Sequence, residues 1–327
     1  MHFYARISKT KPIYVMVRGA FCTSGIGVAA LGHAHPVIVA AVQKQAELLI
    51  TCHEMFYNNA RAALLSSLSE LLPQPLTKFF FSNSGAEANE AAIKFARATT
   101  GRTRIVSARR GYHGKTMGAL SANWDKKNRE PFQPLVPDFE SLRFNDCTTA
   151  NEVITEHTAA VIIEVIQGEG GVRAANLDFL YSINDICRKN NILLFLDEVQ
   201  CGFGRSGKLF SYEWANIEPD VMAVAKGIGS GFPLGACLAT DSASIGMTKG
   251  THGSTYGGNP LAIAVGNSVL EILLKEDFLK KVNEVARYFW TKLKQLENTY
   301  DEIIEVRGAG LLLGIKTKKN NVDFSLA

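Results

Sequence analysis

Between residues 78 and 240 the chain alternates short apolar runs with stretches of helical period, and this alternation restricts its fold more than any other feature. The runs are 78–81, 104–107, 160–165, 192–196, 221–225 and 235–239. Most are continuously apolar, as expected of strands covered on both faces. Helical patterns such as 87–99 and 177–189 lie between them. Strands alternating with helices predict an α/β domain with a mostly parallel sheet. In such sheets ligands gather at the carboxyl ends of the strands.

Three of those ends carry chemistry. The run 221–225 delivers Lys226 to a glycine-rich turn, and 192–196 delivers Asp197. The third, Ser82-Asn83-Ser84-Gly85-Ala86-Glu87, joins a strand to a helix start. A lysine to form a Schiff base, an acid to partner a pyridinium nitrogen and a helix N-terminus to hold a phosphate are what pyridoxal phosphate requires. Each has a plainer reading. Ser84 with Glu87 three residues on is also a capping box, and a lone buried acid is usually a satisfied structural pair. Tyr112 either stacks on a flat ring or is a buried loop tyrosine.

Other patterns fail on inspection. Gly111-Tyr112-His113-Gly114-Lys115-Thr116 resembles the tail of a P-loop, but Arg109 stands where that motif needs glycine. Gly308-Ala309-Gly310 leads into a strand, against dinucleotide binding. His33-Ala34-His35 has no third ligand nearby, so no metal is expected.

A length of 327 residues allows one large domain or two ordinary ones. With 46% hydrophobic and 20% charged residues the chain can bury a full core. The net charge of +4, without a basic run, argues against nucleic acid. Cysteines 22, 52, 147, 187, 201 and 237 form no C-x-x-C pair, so free thiols and a reducing, cytoplasmic setting are expected. Residues 1–11 lack the apolar core of a secretory signal. Residues 37–50 read as an amphipathic helix too polar to span a membrane. Past Pro260, 261–297 reads as two helices broken near Asp277, and 303–308 with 311–316 as a hairpin. The expected division is residues 1–50 as a first segment of a small α+β domain, 51–265 as the large cofactor domain, and 266–327 as the rest of the small domain.

Together these segments resemble the class III, ornithine-type pyridoxal-phosphate aminotransferases. The resemblance runs from about Thr23 to Lys316. It rests on Gly32-His33-Ala34-His35-Pro36, Asn83-Ser84-Gly85-Ala86-Glu87, Tyr112-His113-Gly114-Lys115-Thr116, Gln167-Gly168-Glu169-Gly170, Asp197-Glu198-Val199-Gln200, Ala225-Lys226-Gly227 and the block from His252 to Pro260. It implies a fold type I architecture with pyridoxal 5'-phosphate as cofactor. The implied activity moves the terminal amino group of N-acetylornithine, or a close relative, to 2-oxoglutarate in arginine biosynthesis.

The resemblance also implies roles. Lys226 would hold the cofactor and act as base and acid; Asp197 would pair with the ring nitrogen. Gln200 would lie near the ring hydroxyl and Tyr112 would stack on the ring. Ser84, Gly85 and Ala86 would bind the phosphate, and Thr255 would reach the neighbouring subunit's phosphate in a homodimer with shared sites. Lys115, Glu169 and Ser254 would face substrate, with Glu169 as a switch between donor and acceptor.

The chain departs from the family at four points. Lys115 replaces the arginine that clamps the donor carboxylate, and lysine lacks the planar fork. Val165 replaces proline. A hairpin between residues 20 and 23 is missing, and the chain ends at Ala327, ahead of the switch arginine. The small domain is therefore expected to be incomplete. Ornithine, 4-aminobutyrate and putrescine stay open as donors. So do a catalytically silent chain and a fold type I decarboxylase or racemase.

Overall fold

The computed structural model describes residues 24–72 and 76–318. Residues 1–23, with Cys22 and the expected hairpin deletion, and residues 73–75 and 319–327 lie outside them.

Seven strands form the central sheet: β1 (Leu76–Ser82), β2 (Arg104–Ala108), β3 (Phe139–Leu142), β4 (Thr158–Ile163), β7 (Leu193–Asp197), β8 (Val221–Val224) and β9 (Gly235–Thr240). Their order is β1-β9-β8-β7-β4-β2-β3. Pairings from β8 to β3 are parallel, whereas β9 is antiparallel to both β1 and β8. The sheet is thus mostly parallel, with β9 alone reversed. Between β4 and β7, β5 (Ile166–Gln167) and β6 (Arg173–Ala174) form a small ribbon across the glycine turn. The sequence reads this stretch as a turn only.

Two cores flank the sheet, and successive strand residues alternate between them. Val161, Ile163, Leu194, Leu196, Met222 and Val224 belong to one. Ala160, Ile162, Phe195, Val221 and Ala223 belong to the other. A period of two with both faces buried leaves no polar position along the strand. The second core is covered by the Gly85–Thr100 helix, which turns Ala88, Ala91, Ala92, Phe95 and Ala96 inward. Its small side chains let its backbone lie close to the sheet. Leu177–Asn190 covers the first core through Phe179, Leu180, Ile183 and Cys187.

The helices Pro36–Ala46 and Asn59–Leu71 pack on Pro260–Leu273. The first is shorter than the sequence suggests: it stops at Ala46, and Leu48, Leu49 and Ile50 stand exposed. The Phe278–Thr299 helix follows, then a separate hairpin, β10 (Ile303–Ala309) with β11 (Leu312–Thr317). No described helix is long and apolar enough to cross a membrane.

Candidate active site

The strand ends converge on one pocket of about 490 Å³. Ser84, Gly85, Ala86, Tyr112, Lys115, Glu169, Asp197, Gln200 and Lys226 all line it. The reversed β9 contributes as well, because its beginning, after Pro233 and Leu234, lies where its neighbours end.

Lys226 follows β8 after one intervening residue and opens a short turn with φ of 46°, a left-handed backbone that non-glycine residues seldom adopt. Ser230 N–H closes the turn on the Lys226 carbonyl at 3.0 Å. The Lys226 ammonium donates to Gln200 Oε1. Burial pushes the Lys226 amine below the ordinary lysine value, against the charges of Asp197, Glu169 and Glu164. The downward shift makes the proton easier to give up, as a nucleophilic amine requires.

Asp197 closes β7 and is almost fully buried. Its Oδ2 accepts from Asn89 Nδ2 at 2.8 Å and lies 2.8 Å from His113 Nδ1. Its Oδ1 accepts from Val199 N–H at 3.0 Å. His113 Nε2 and Asn89 Oδ1 are buried without a partner. Glu164, just past β4, accepts from Tyr112 N–H and Gly168 N–H, both at 3.0 Å. Burial, together with repulsion from Asp197, raises the Glu164 carboxyl to about 7 against the opposing pull of His113.

At the start of the Gly85–Thr100 helix, Ser84 Oγ accepts from Glu87 N–H at 3.2 Å. The Glu87 carboxylate reaches back to Asn83 N–H at 2.6 Å, one residue earlier than a standard capping box. First-turn N–H groups of a helix have no intrahelical acceptor, and the helix dipole favours an anion there. Gly85 packs tightly under β7: a Cβ on it would stand 2.7 Å from Val199 Cγ1.

Lys115 and Glu169 are exposed at the rim. The Lys115 ammonium lies 5.4 Å from the Tyr112 ring centroid. Ser254 and Thr255 do not line the pocket. Ser254 Oγ accepts from Gly257 N–H at 2.9 Å and from Asn83 Nδ2 at 3.5 Å, and Thr255 is exposed. Sequence reasoning assigned no role to Asn89, His113 or Glu164. His113 sits inside a quoted motif and Glu164 near the end of the run 160–165, but nothing in the sequence links Asn89 to Asp197.

The residues present fit pyridoxal phosphate. A buried carboxylate suits a protonated ring nitrogen, a lysine amine suits a carbonyl, and the helix start suits a phosphate dianion. The family profile described as Aminotransferase class-III matches residues 21–326. The chain belongs to the class III aminotransferases. The acetylornithine aminotransferase of Agrobacterium fabrum is 46% identical over 302 residues, covering 90% of this chain and 75% of that protein. That of Methanopyrus kandleri is 42% identical over 293 residues, covering 90% and 75%. Among solved structures, ornithine aminotransferase from Toxoplasma gondii superposes with a TM-score of 0.86 at 29% identity, covering 92% of this chain and 73% of that one. The taurine:2-oxoglutarate aminotransferase of Bifidobacterium kashiwanohense, solved with pyridoxal phosphate and glutamate, has a TM-score of 0.85 at 28% identity, covering 91% and 73%. As a class III aminotransferase the chain uses pyridoxal 5'-phosphate and passes an amino group from a donor to a keto acid.

Proposed function

We propose that this class III aminotransferase transfers the terminal amino group of N-acetylornithine to 2-oxoglutarate, in arginine biosynthesis. The observation that carries the reading is one pocket holding a buried amine, Lys226, beside a buried, donor-bound carboxylate, Asp197. The acetylornithine enzymes it resembles supply the substrate.

When bound, pyridoxal phosphate supplies a carbonyl that takes up amines and a ring that accepts electrons from the deprotonated carbon. Asp197 holds the charge that keeps a ring nitrogen protonated, and Asn89 and His113 fix its orientation. Ser84, Gly85 and Ala86 offer the helix-start donors to the phosphate. Tyr112 lines the pocket and would stack on the cofactor ring, and Gln200 Oε1 accepts from Lys226 Nζ. With the cofactor bound, Lys226 Nζ would take a proton from the donor carbon bearing the amine and, as general acid, give it back two atoms away in a 1,3 shift. Lys115 would supply a point charge for the donor carboxylate, and Glu169, lining the same pocket, is the proposed switch. Ser254 acts through Asn83.

The working unit in this reading is a homodimer in the cytoplasm. Thr255 stands exposed and outside its own pocket, where a residue serving the neighbouring subunit belongs. Met55, Phe56 and Tyr57 form an exposed apolar run next to it in space, since Arg61 bonds the carbonyls of both Phe56 and Gly258. The described cysteines are free thiols, in keeping with a reducing compartment. The division into a large domain over 51–265 and a small one from 1–50 and 266–327 belongs to the same reading, with the β10–β11 hairpin as its small-domain sheet.

The purified chain with pyridoxal phosphate should form glutamate from N-acetylornithine and 2-oxoglutarate faster than from ornithine, 4-aminobutyrate or putrescine. Lys226→Ala should lower turnover by at least roughly 10²–10⁴-fold, and borohydride should no longer fix the cofactor to the chain. Preference for another donor would overturn the substrate. Cofactor fixed to Lys226→Ala would overturn the site.

A further inference from the structure

A second cavity, of about 670 Å³, shares no lining residue with the cofactor pocket. Arg109 and Arg110 enter it from the end of β2, Arg143 from the end of β3, Arg173 from β6 and Arg307 from β10. Glu305 is the one acid among its lining residues. Five guanidinium groups less one carboxylate leave +4 in a single cleft, which equals the formal net charge of the whole chain. Overall composition therefore does not account for it.

The internal partners do not neutralise this charge. Arg307 Nη1 pairs with Glu305 at 3.1 Å, and its Nε donates to the Gly171 carbonyl at 2.5 Å. That uses up the one acid. Arg109 Nε and Arg173 Nε are buried with no hydrogen-bond partner, a costly condition for a guanidinium. Burial and the neighbouring charges of Arg110 and Arg307 also work against the charged form of Arg173. Guanidinium forks bind carboxylate and phosphate oxygens two at a time. A cleft of this size suits a small molecule, and the charge is gathered in one cavity instead of a stripe that would track a nucleic-acid backbone.

We infer that this cleft binds a small polyanion carrying two or more carboxylate or phosphate groups, at a site separate from the catalytic pocket. One turn borders both sites: Gly168 and Glu169 line the cofactor pocket, and Val172 and Arg173 line the cleft.

Trp124 and Trp290 border the cleft, so they report its occupancy once Trp214, the third tryptophan of the chain, is replaced by phenylalanine. The cofactor-loaded Trp214→Phe enzyme would be titrated with inorganic pyrophosphate, and separately with citrate, at constant ionic strength set with sodium chloride. The expected result is a saturable fluorescence change with at least one of them, and the tighter of the two identifies phosphate or carboxylate as the preferred group. Arg143→Gln and Arg110→Gln, both at exposed positions, should each weaken that binding by about tenfold or more, the usual loss for a charge-assisted contact. Their unfolding midpoints without anion should stay unchanged. No saturable response to either anion would overturn the inference. So would a response that neither substitution alters, which would mark an adventitious ion only.

Discussion

Glu164 is the residue whose environment most constrains behaviour with pH. Its carboxyl is lifted from 4.5 to about 7 in the folded chain, chiefly by burial. Between those values the folded chain keeps a proton that the unfolded chain has lost. Stability from this group is therefore full below about pH 4.5 and falls as pH rises toward 7. Glu164→Gln removes the titration and keeps an acceptor for Tyr112 N–H. Relative to the variant, the parent chain should have a lower urea midpoint at pH 8 than at pH 5; an equal gap at both pH values would sink the argument. Lys226, Asp197 and Ser84 were legible in the sequence because each ends an apolar run. Glu164 was not, since an acid after a strand reads equally as a structural pair. Asn89 lies in a helix interior, and its bond to Asp197 joins residues far apart in the chain.

At the scale of elements, the contact between the Gly85–Thr100 helix and the turn after β7 sets the spacing between the helix start and Asp197. Gly85→Ala would drive a methyl into Val199 Cγ1, and overpacking of this kind costs about 1–3 kcal/mol. Val199→Ala should restore much of that loss, so urea unfolding of the two single variants and the double variant should show coupling. Purely additive effects would mean that the helix start does not bear on β7. Six of the seven sheet strands were readable because cores on both faces keep their runs apolar; β3, Phe-Glu-Ser-Leu with only Leu142 buried, carries no such run. The same burial hid the direction of β9, as a reversed central strand carries the same apolar run. The β5–β6 ribbon is too short to show a period, and Leu48-Leu49-Ile50 extended a helical pattern that the backbone abandons at Ala46.

For the whole molecule, Arg61 is the residue that joins separate parts. Its nearly buried guanidinium bonds the carbonyls of Cys52, Glu54 and Phe56 on one side and Gly258 on the other. The exposed apolar segment and the loop bearing Thr255 are thereby held as one surface, so in the dimer reading joining two chains and finishing two catalytic sites are a single event. The rate per chain should then depend on how much enzyme is in the cuvette. Serial dilution should lower specific activity once the chains separate, and added pyridoxal phosphate should shift that loss to lower enzyme concentration by mass action. A specific activity that stays flat until sedimentation shows only monomers would mean that each chain works alone. If it falls as expected, the enzyme's output would scale more steeply than its abundance: halving the amount of protein in a dilute setting would remove more than half of the flux.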